Sequence, residues 1–382
     1  MNRTAPLLIA GLIISGCFGK GPGNKVGTGN LTADSLTVKY AAGFDLGNNT
    51  EGRIITVKNP WQNASQVEFT YILSDSFPAS EMISDNSWRI KTPVNRAVCL
   101  STTHIGFIDF LDELGSVTGI SGKDYVVNEM LRFRVEKGLL PDVGYDENLN
   151  FELLISLKPD VVFAYGVSGA VTNTIKKLGE LGIPVIMVAE YLEEEPLAKM
   201  EWVKVFAAFY QKEEVATHRF DSIAEAYEQL RALARDKGDE PKVLLGLPWR
   251  GTWYISGSKS YIARLVSDAG GRYLWDHLDF KDSRPVELEK VYEYALAADF
   301  WINSGDARSK KEIGLVDNRF ERLPAFMEDK VYNNNNLMSP SGGNAFFESG
   351  VVEPHIILAD LIYILHPQLL PSHKLTYYRK LQ

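Results

Sequence analysis

The chain has 382 residues, of which 45% are apolar and 23% are charged, so it is long enough for two to three globular domains of roughly 150 residues. Its formal net charge of −9 argues against a nucleic-acid partner, which would need a basic face. No apolar run reaches the ~18 residues of a membrane-spanning helix. Two cysteines are too few for a disulfide-rich scaffold.

The first residues have the pattern of an export signal. Arg3 precedes an apolar run over residues 5–16, which has the length of a secretory core and is too short to span a bilayer. The run ends in Ile14-Ser15-Gly16-Cys17, which resembles the lipobox of bacterial lipoproteins. The resemblance implies a signal peptide over residues 1–16, a lipid on Cys17 and a tether over residues 17–35. An incidental cysteine at the start of a buried strand or helix is the alternative.

A small antiparallel β extension is predicted over residues 36–94. Runs of β-forming residues occur at 36–40, 53–57 and 67–71, and glycine, asparagine and proline lie between them. Nothing in these residues indicates what the extension does.

Residues 95–210 change to an alternation of strand and helix patterns. The apolar run 97–100 is followed by a stretch with helical periodicity that stops at Gly115, and the buried run 161–163 by a further helix pattern. This alternation predicts a parallel sheet covered on both faces. Cys99 lies in the first of these runs, where we expect it to pack as a small hydrophobe.

A connecting helix is predicted over residues 211–238, because the apolar residues there recur at helical spacing. Residues 207–211 leave open whether this region is one helix or two. Residues 239–382 then restart with an apolar strand pattern and repeat the plan of the first half. The fold class expected is therefore α/β, with two Rossmann-like lobes joined by a long backbone helix and a small amino-terminal β extension.

From about residue 96 to residue 366, the order of these segments resembles the class III periplasmic substrate-binding proteins. That family serves ABC importers of metal chelates, namely iron siderophores, haem and cobalamin. The segments that carry the resemblance are 96–103, 111–115, 117–121, 143–144, 157–162, 178–184, the long helix and Ser256-Gly257-Ser258-Lys259-Ser260. The β extension resembles that of Bacteroidetes-type lipoproteins in this family.

The resemblance implies a ligand held between the lobes by loops at the ends of strands, where open α/β sheets bind their ligands. Aromatic side chains in these loops offer broad, stiff contact area to a flat chelate, and arginines offer bidentate bonds to its anionic groups. A histidine after a strand is a candidate axial contact to a metal. The candidates are His104, Tyr145, Tyr165, Trp249, Arg250, Trp253, Arg284, Phe346 and Phe347. For each, core packing or a surface ion pair is the competing interpretation.

Two glutamates match the family positions at which each lobe docks on arginines of the permease dimer. Glu152 and Glu289 each lie near the start of a helix, one in each half of the chain. Paired carboxylates of this kind fix the orientation of an interface. Stabilisation of a helix start is the alternative role for each. Because no acidic cluster follows Cys17, we expect a membrane-anchored, periplasm-facing lipoprotein and not one displayed on the cell surface.

Other function classes have less support in the sequence. Six scattered histidines argue against a zinc or manganese site, and we expect neither a bound metal ion nor a cofactor. Gly166-Val167-Ser168-Gly169-Ala170 departs from the nucleophile-elbow pattern at its last position, so an enzyme is not expected. An iron siderophore or haem is the first choice of ligand, and cobalamin is the alternative. A structural or adhesion lipoprotein remains the remote possibility, because the role of the extension is open.

Overall fold

The computed structural model describes residues 37–145, 148–235, 238 and 240–382. The first described element is the extension, a sheet of five strands in the order β1-β2-β3-β5-β4. Its strands are β1 (Phe44–Asn48), β2 (Arg53–Lys58), β3 (Glu68–Ser74), β4 (Glu81–Ser84) and β5 (Ser87–Lys91). The prediction of a purely antiparallel unit is wrong, because β5 returns beside β3 and pairs with it in parallel.

The extension covers an edge of the next sheet. The Tyr71 hydroxyl accepts a hydrogen bond of 2.9 Å from the backbone N–H of Met187, which lies on an edge strand. Trp88 is buried, and Met82 lies against Gly179 of a neighbouring helix. An edge strand that is covered in this way cannot pair with another chain.

The prediction of a strand over residues 36–40 is wrong for its described part. Residues 37–43 lie instead against two buried carboxylates, which take the place of a partner strand. Glu201 accepts hydrogen bonds from the N–H groups of residues 39–41, and Glu193 accepts them from residues 42 and 43. Lys204 binds both the carbonyl of Thr37 and Glu201. We call this arrangement the carboxylate clamp.

The amino-terminal lobe is built on a fully parallel sheet in the order β7-β6-β8-β9. Its strands are β6 (Ala97–Cys99), β7 (Val117–Ile120), β8 (Val161–Ala164) and β9 (Val185–Met187). Its helices are α1 (Thr102–Phe110), α2 (Glu129–Glu136), α3 (Phe151–Leu157), α4 (Val171–Glu180), α5 (Pro196–Glu201) and α6 (Val203–Tyr210). Cys99 is fully buried in β6, as predicted, and burial raises the pKa of its thiol.

The long helix, α7, runs over Glu213–Ala234. At 1.5 Å per residue its 22 residues span about 33 Å. Gln211 has a φ of 55° and ends α6. The sequence pattern allowed either one helix or two in this region, and the structure has two. α7 packs against α6 and also against α12 (Pro354–Leu365) of the second lobe, and so joins the two halves.

The carboxyl-terminal lobe repeats the plan with a sheet in the order β12-β10-β14-β15-β16. All its pairs are parallel except the last. Its strands are β10 (Lys242–Leu245), β12 (Arg272–Tyr273), β14 (Phe300–Ile302), β15 (Val331–Asn333) and β16 (Arg379–Lys380), and β11 (Trp253–Ser256) and β13 (Ser283–Val286) form a separate hairpin. Its other helices are α8 (Tyr261–Asp268), α9 (Leu288–Ala295), α10 (Lys310–Val316) and α11 (Pro324–Met327).

The predicted fold class is confirmed, since two α/β lobes with parallel sheets flank a long helix. Within the described ranges, no helix combines the length and the apolar character needed to cross a bilayer.

Candidate functional site

A cavity of about 530 Å³ opens at the carboxyl ends of strands in the amino-terminal lobe. We call it the amino-lobe cavity. Tyr165 follows β8 directly, and Tyr145 faces the same cavity from the loop before α3. Tyr165 is 41% exposed and Tyr145 is 51% exposed. The cavity also contains Lys177, whose ammonium lies 3.7 Å from the centre of the Phe151 ring.

One aspartate organises the loops that carry these aromatic residues. Asp142 accepts hydrogen bonds from the N–H groups of Gly122, Lys123 and Gly144. Gly144 has a φ of 75°, and a Cβ there would lie 2.3 Å from the carbonyl oxygen of Asn148, so no other residue fits. Asp142 thereby holds together the start of the loop that leads to Tyr145 and the loop that ends in Tyr125.

A second cavity of about 530 Å³ lies between the two lobes, and we call it the interlobe cavity. The amino-terminal lobe contributes Thr102 and Tyr125. The carboxyl-terminal lobe contributes residues that follow β14 and β15. They are Gly305, Asp306, Arg308, Asn335, Met338, Gly342, Gly343, Asn344 and Phe347.

The lobes touch directly beside the interlobe cavity. The buried carboxylate of Glu348 accepts hydrogen bonds of 2.8 and 2.6 Å from the N–H groups of Val127 and Asn128. Burial raises the pKa of Glu348 to about 7, although these two hydrogen bonds oppose the shift. Gly106 of α1 lies so close to this segment that a Cβ would be 2.1 Å from the Glu348 carbonyl oxygen. The two lobes are therefore in direct contact beside the interlobe cavity.

Three of the sequence candidates are buried, so the structure does not bring them to a ligand surface. His104 is fully buried among Phe163, Tyr165 and Phe206, and burial lowers its pKa to about 3. Trp253 is likewise fully buried. Its ring packs against Trp301 and Phe320 in the core of the second lobe.

Phe346 is the third buried candidate, with 6% of its surface exposed. It packs edge-on against its neighbour Phe347 and against Tyr377 and Tyr378. Phe347 itself is 54% exposed and faces the interlobe cavity. His104, Trp253 and Phe346 therefore pack in the core of the protein, whereas Phe347 lines the interlobe cavity.

Three further candidates are exposed but line neither cavity, namely Trp249, Arg250 and Arg284. The Arg250 guanidinium lies 4.4 Å from the centre of the Trp249 ring, in a tight turn closed by backbone bonds between Trp249 and Thr252. The Arg284 guanidinium on β13 lies 4.1 Å from the centre of the Phe280 ring. Both arginines are thus stacked on aromatic residues of their own lobe.

The comparisons with known proteins now give a family. A family model described as "periplasmic binding protein" matches residues 98–336, which is more than half of the chain. The chain belongs to this family. The predicted class III assignment is confirmed, and the protein is a substrate-binding protein of ABC-transporter type. Members of the family are transport proteins and not enzymes.

Two relatives of this periplasmic binding protein come from an archaeon and from a bacterium. An uncharacterized lipoprotein of Methanocaldococcus jannaschii is 29% identical over 316 residues, covering 79% of this chain and 72% of that protein. The molybdate-binding protein MolA of Haemophilus influenzae is 26% identical over 253 residues, covering 58% of this chain and 68% of its own length.

The fold likeness extends to solved structures of the family. MolA with molybdate superposes with a TM-score of 0.57 at 19% identity, covering 76% of this chain and 92% of that chain. The triscatecholate siderophore-binding protein FeuA of Bacillus subtilis, complexed with ferri-bacillibactin, gives 0.53 at 18% identity, covering 72% and 94%. At these identities the likeness shows the fold alone.

The two predicted docking glutamates lie on matching helices of this periplasmic binding protein. Glu152 is in the first turn of α3 and Glu289 in the first turn of α9, and both are exposed. Glu289 lies 3.5 Å from Arg319, whereas Glu152 forms no ion pair within the part of the chain that the structure describes. The predicted signal peptide, Cys17 and the whole of the predicted tether lie outside the described residues.

Sequence reasoning missed Asp306 and Arg308. Both follow β14, a strand that the apolar run Phe300-Trp301-Ile302 indicates. The rule that drew attention to the other strand-end loops would have found them.

Proposed function

We propose that this protein is the receptor of an ABC importer for a metal chelate, an iron siderophore or haem, which it captures in the interlobe cleft and delivers to the permease. The observation that carries the proposal is the exposed pair Tyr145 and Tyr165 in the amino-lobe cavity of about 530 Å³. This cavity adjoins the interlobe cavity, because a Cβ on Gly122 would lie 3.1 Å from the Tyr125 ring and 3.5 Å from the Tyr145 ring. Aromatic faces in a cavity of this size suit a flat or bulky chelate better than a bare ion. The ferri-bacillibactin complex of FeuA, a structural neighbour, supports the same class of ligand.

A corrinoid such as cobalamin is the second candidate ligand. Lys177 is the charged side chain that lines the amino-lobe cavity, and its ammonium is engaged with the Phe151 ring. A cavity with aromatic walls and little available charge suits a large ligand with no net charge, such as cyanocobalamin. The molybdate ligand of MolA adds a small oxyanion to the compounds worth testing.

The docking proposal assigns Glu152 and Glu289 to the permease dimer. Each carboxylate projects from the start of a helix on a different lobe, so the pair can fix the orientation of a partner that spans both lobes. Replacing both with glutamine should abolish ligand uptake in cells and leave ligand affinity unchanged. Intact uptake with the double variant would contradict the assignment.

The anchoring proposal places a lipid on Cys17 and the folded chain outside the cytoplasm, facing the periplasm. The lipobox-like residues 14–17 support it, as does the similarity to a protein named a lipoprotein. Mass spectrometry of the amino-terminal peptide from membrane-extracted protein should find a lipid on Cys17. Cys17→Ala should remove the protein from the membrane fraction, and an unchanged distribution would contradict this proposal.

Ligand titration tests the receptor function. Mature protein should change its tryptophan fluorescence on titration with haemin, cyanocobalamin, ferric siderophores or molybdate. Replacing Tyr145 and Tyr165 with leucine should lower the affinity for the compound that binds by at least about tenfold. Tyr254→Leu is the matched control, because Tyr254 is 45% exposed and lines neither cavity. The absence of any ligand response would favour the structural or adhesion lipoprotein.

A further inference from the structure

The interlobe cavity is lined by one cationic side chain, that of Arg308. Arg308 lines the cavity and is exposed, and its guanidinium forms no ion pair with a carboxylate of any described residue. Several half-buried arginines of this acidic protein do form such pairs, for example Arg89 with Glu51 and Glu81, and the exposed Arg272 pairs with Asp276. An unpaired guanidinium in a cavity shared by both lobes is therefore available to a ligand.

The backbone around Arg308 is held in place from both sides. Its N–H donates to the Glu312 carboxylate at 2.7 Å, and its carbonyl accepts from the Arg379 guanidinium at 3.2 Å. The neighbouring Ala307 carbonyl accepts from the side-chain amides of Asn333 and Asn335. A charged group on such a fixed loop loses less conformational entropy when it binds a ligand.

The other lining residues limit which anion fits. Asp306 also lines the cavity, so the charged side chains of its wall are one arginine and one aspartate. A ligand with three clustered negative charges would meet the Asp306 carboxylate, whereas a ligand with a single carboxylate can reach Arg308 and avoid it. Tyr125 and Phe347 are 55% and 54% exposed and provide apolar contact area for the rest of the ligand.

The arginines predicted from the sequence are less suited to this role. Arg250 and Arg284 are stacked on Trp249 and Phe280 within their own lobe and line neither cavity. Arg308, by contrast, faces Thr102 and Tyr125 of the other lobe across the interlobe cavity.

We infer that the chelate bound by this protein carries a carboxylate, and that Arg308 binds this carboxylate in the interlobe cavity. The inference rests on the proposed receptor function and names the chemical class of its ligand. It separates carboxylate-bearing chelates, such as haem and ferric hydroxycarboxylates, from ferric triscatecholates and from cobalamin, which carries amides and one phosphodiester but no free carboxylate.

The test pairs a residue with the ligand group that it contacts. Haemin and haemin dimethyl ester, which lacks free carboxylates, are titrated into wild type, Arg308→Met and Arg308→Lys by tryptophan fluorescence. Arg308→Met should weaken haemin binding about 10- to 100-fold, because a charge-assisted bidentate contact is lost. The ester should bind wild type more weakly by a similar factor and should be insensitive to Arg308→Met. Arg308→Lys should restore part of the haemin affinity.

Arg322→Met is the matched control. Arg322 is exposed on the same lobe, lines neither cavity and forms no ion pair with a described residue. Its replacement should leave every affinity within about twofold. If esterification of haemin and Arg308→Met each weaken binding and their two factors multiply when they are combined, the carboxylate and Arg308 act independently. That result would overturn the inference.

The remaining outcomes are also decisive. If haemin does not bind and ferric citrate does, Arg308→Met should lower the affinity for ferric citrate about 10- to 100-fold. An unchanged affinity for ferric citrate would overturn the inference. If cyanocobalamin, which has no free carboxylate, is the compound that binds, the inference is wrong and the receptor function stands. If no compound binds, the receptor function itself fails.

Discussion

Replacing Glu348 with glutamine tests how the two lobes are held together. Glu348 is 4% exposed, and its carboxylate accepts hydrogen bonds from Val127 and Asn128 of the opposite lobe. Burial raises its pKa from 4.5 to about 7, and the nearby carboxylate of Asp109 contributes in the same direction. The ionised form is thus the unfavourable one in the folded protein.

The size of the effect follows from the difference in pKa. Between an ordinary 4.5 and about 7 lie about 2.5 pH units, which at about 1.36 kcal/mol each give about 3 kcal/mol. Because the pKa in the folded state is the higher one, this stability is fully present below pH 4.5 and is lost as the pH rises through 7. Glu348→Gln has no charge to bury and should lack this pH dependence.

Thermal unfolding at pH 4.5 and at pH 8 measures the effect. Raising the pH should lower the midpoint of the wild type, relative to that of Glu348→Gln, by about 4 °C, if the whole described chain unfolds together. Other titrating groups cancel in this difference. The control is Glu129→Gln, an exposed glutamate close to Asn128. Parallel curves for wild type and Glu348→Gln would refute the reasoning.

Three further predictions concern packing. Gly106→Ala should lower the unfolding temperature, because its Cβ would lie 2.1 Å from the Glu348 carbonyl oxygen, whereas Gly115→Ala, with no atom within 4 Å, should not; equal midpoints would contradict this. His104→Phe should leave ligand affinity unchanged, since His104 is fully buried, and a tenfold loss by titration would make it a ligand contact. Glu201→Gln should lower the free energy of unfolding by about 3 kcal/mol, because it leaves the buried ammonium of Lys204 without its carboxylate partner. The same substitution should expose residues 37–43 to proteases, and unaltered digestion would count against the carboxylate clamp.

The lobes could be predicted because their sequence patterns are local. Apolar runs such as 161–163 are buried on both faces of a parallel sheet, and the helical spacing in 213–234 recurs over six turns. The extension was harder, because the parallel pairing of β3 with β5 depends on a crossover that no local pattern specifies. Residues 37–40 have β-forming side chains, but carboxylates distant in the sequence satisfy their backbone and no strand forms.

The candidate site was predicted in position better than in orientation. Tyr145 and Tyr165 follow from the rule that loops at strand ends line ligand cavities. His104 obeys the same rule by position, yet it lies in the first turn of α1 with its side chain turned into the aromatic core. Which face of a first helical turn is buried depends on the neighbouring helix α6, and the sequence around His104 does not contain that information.

The carboxylate clamp determines where a pull on the amino terminus would act. Residues 37–43 are fastened to Glu193 and Glu201, at the two ends of the segment that leads into and forms α5. In the same segment, Glu194 and Glu195 lie 3.6 and 3.3 Å from Lys281 and Arg264 of the other lobe. Tension on the chain before residue 37, such as the proposed lipid on Cys17 would apply, would therefore reach the junction of the two lobes.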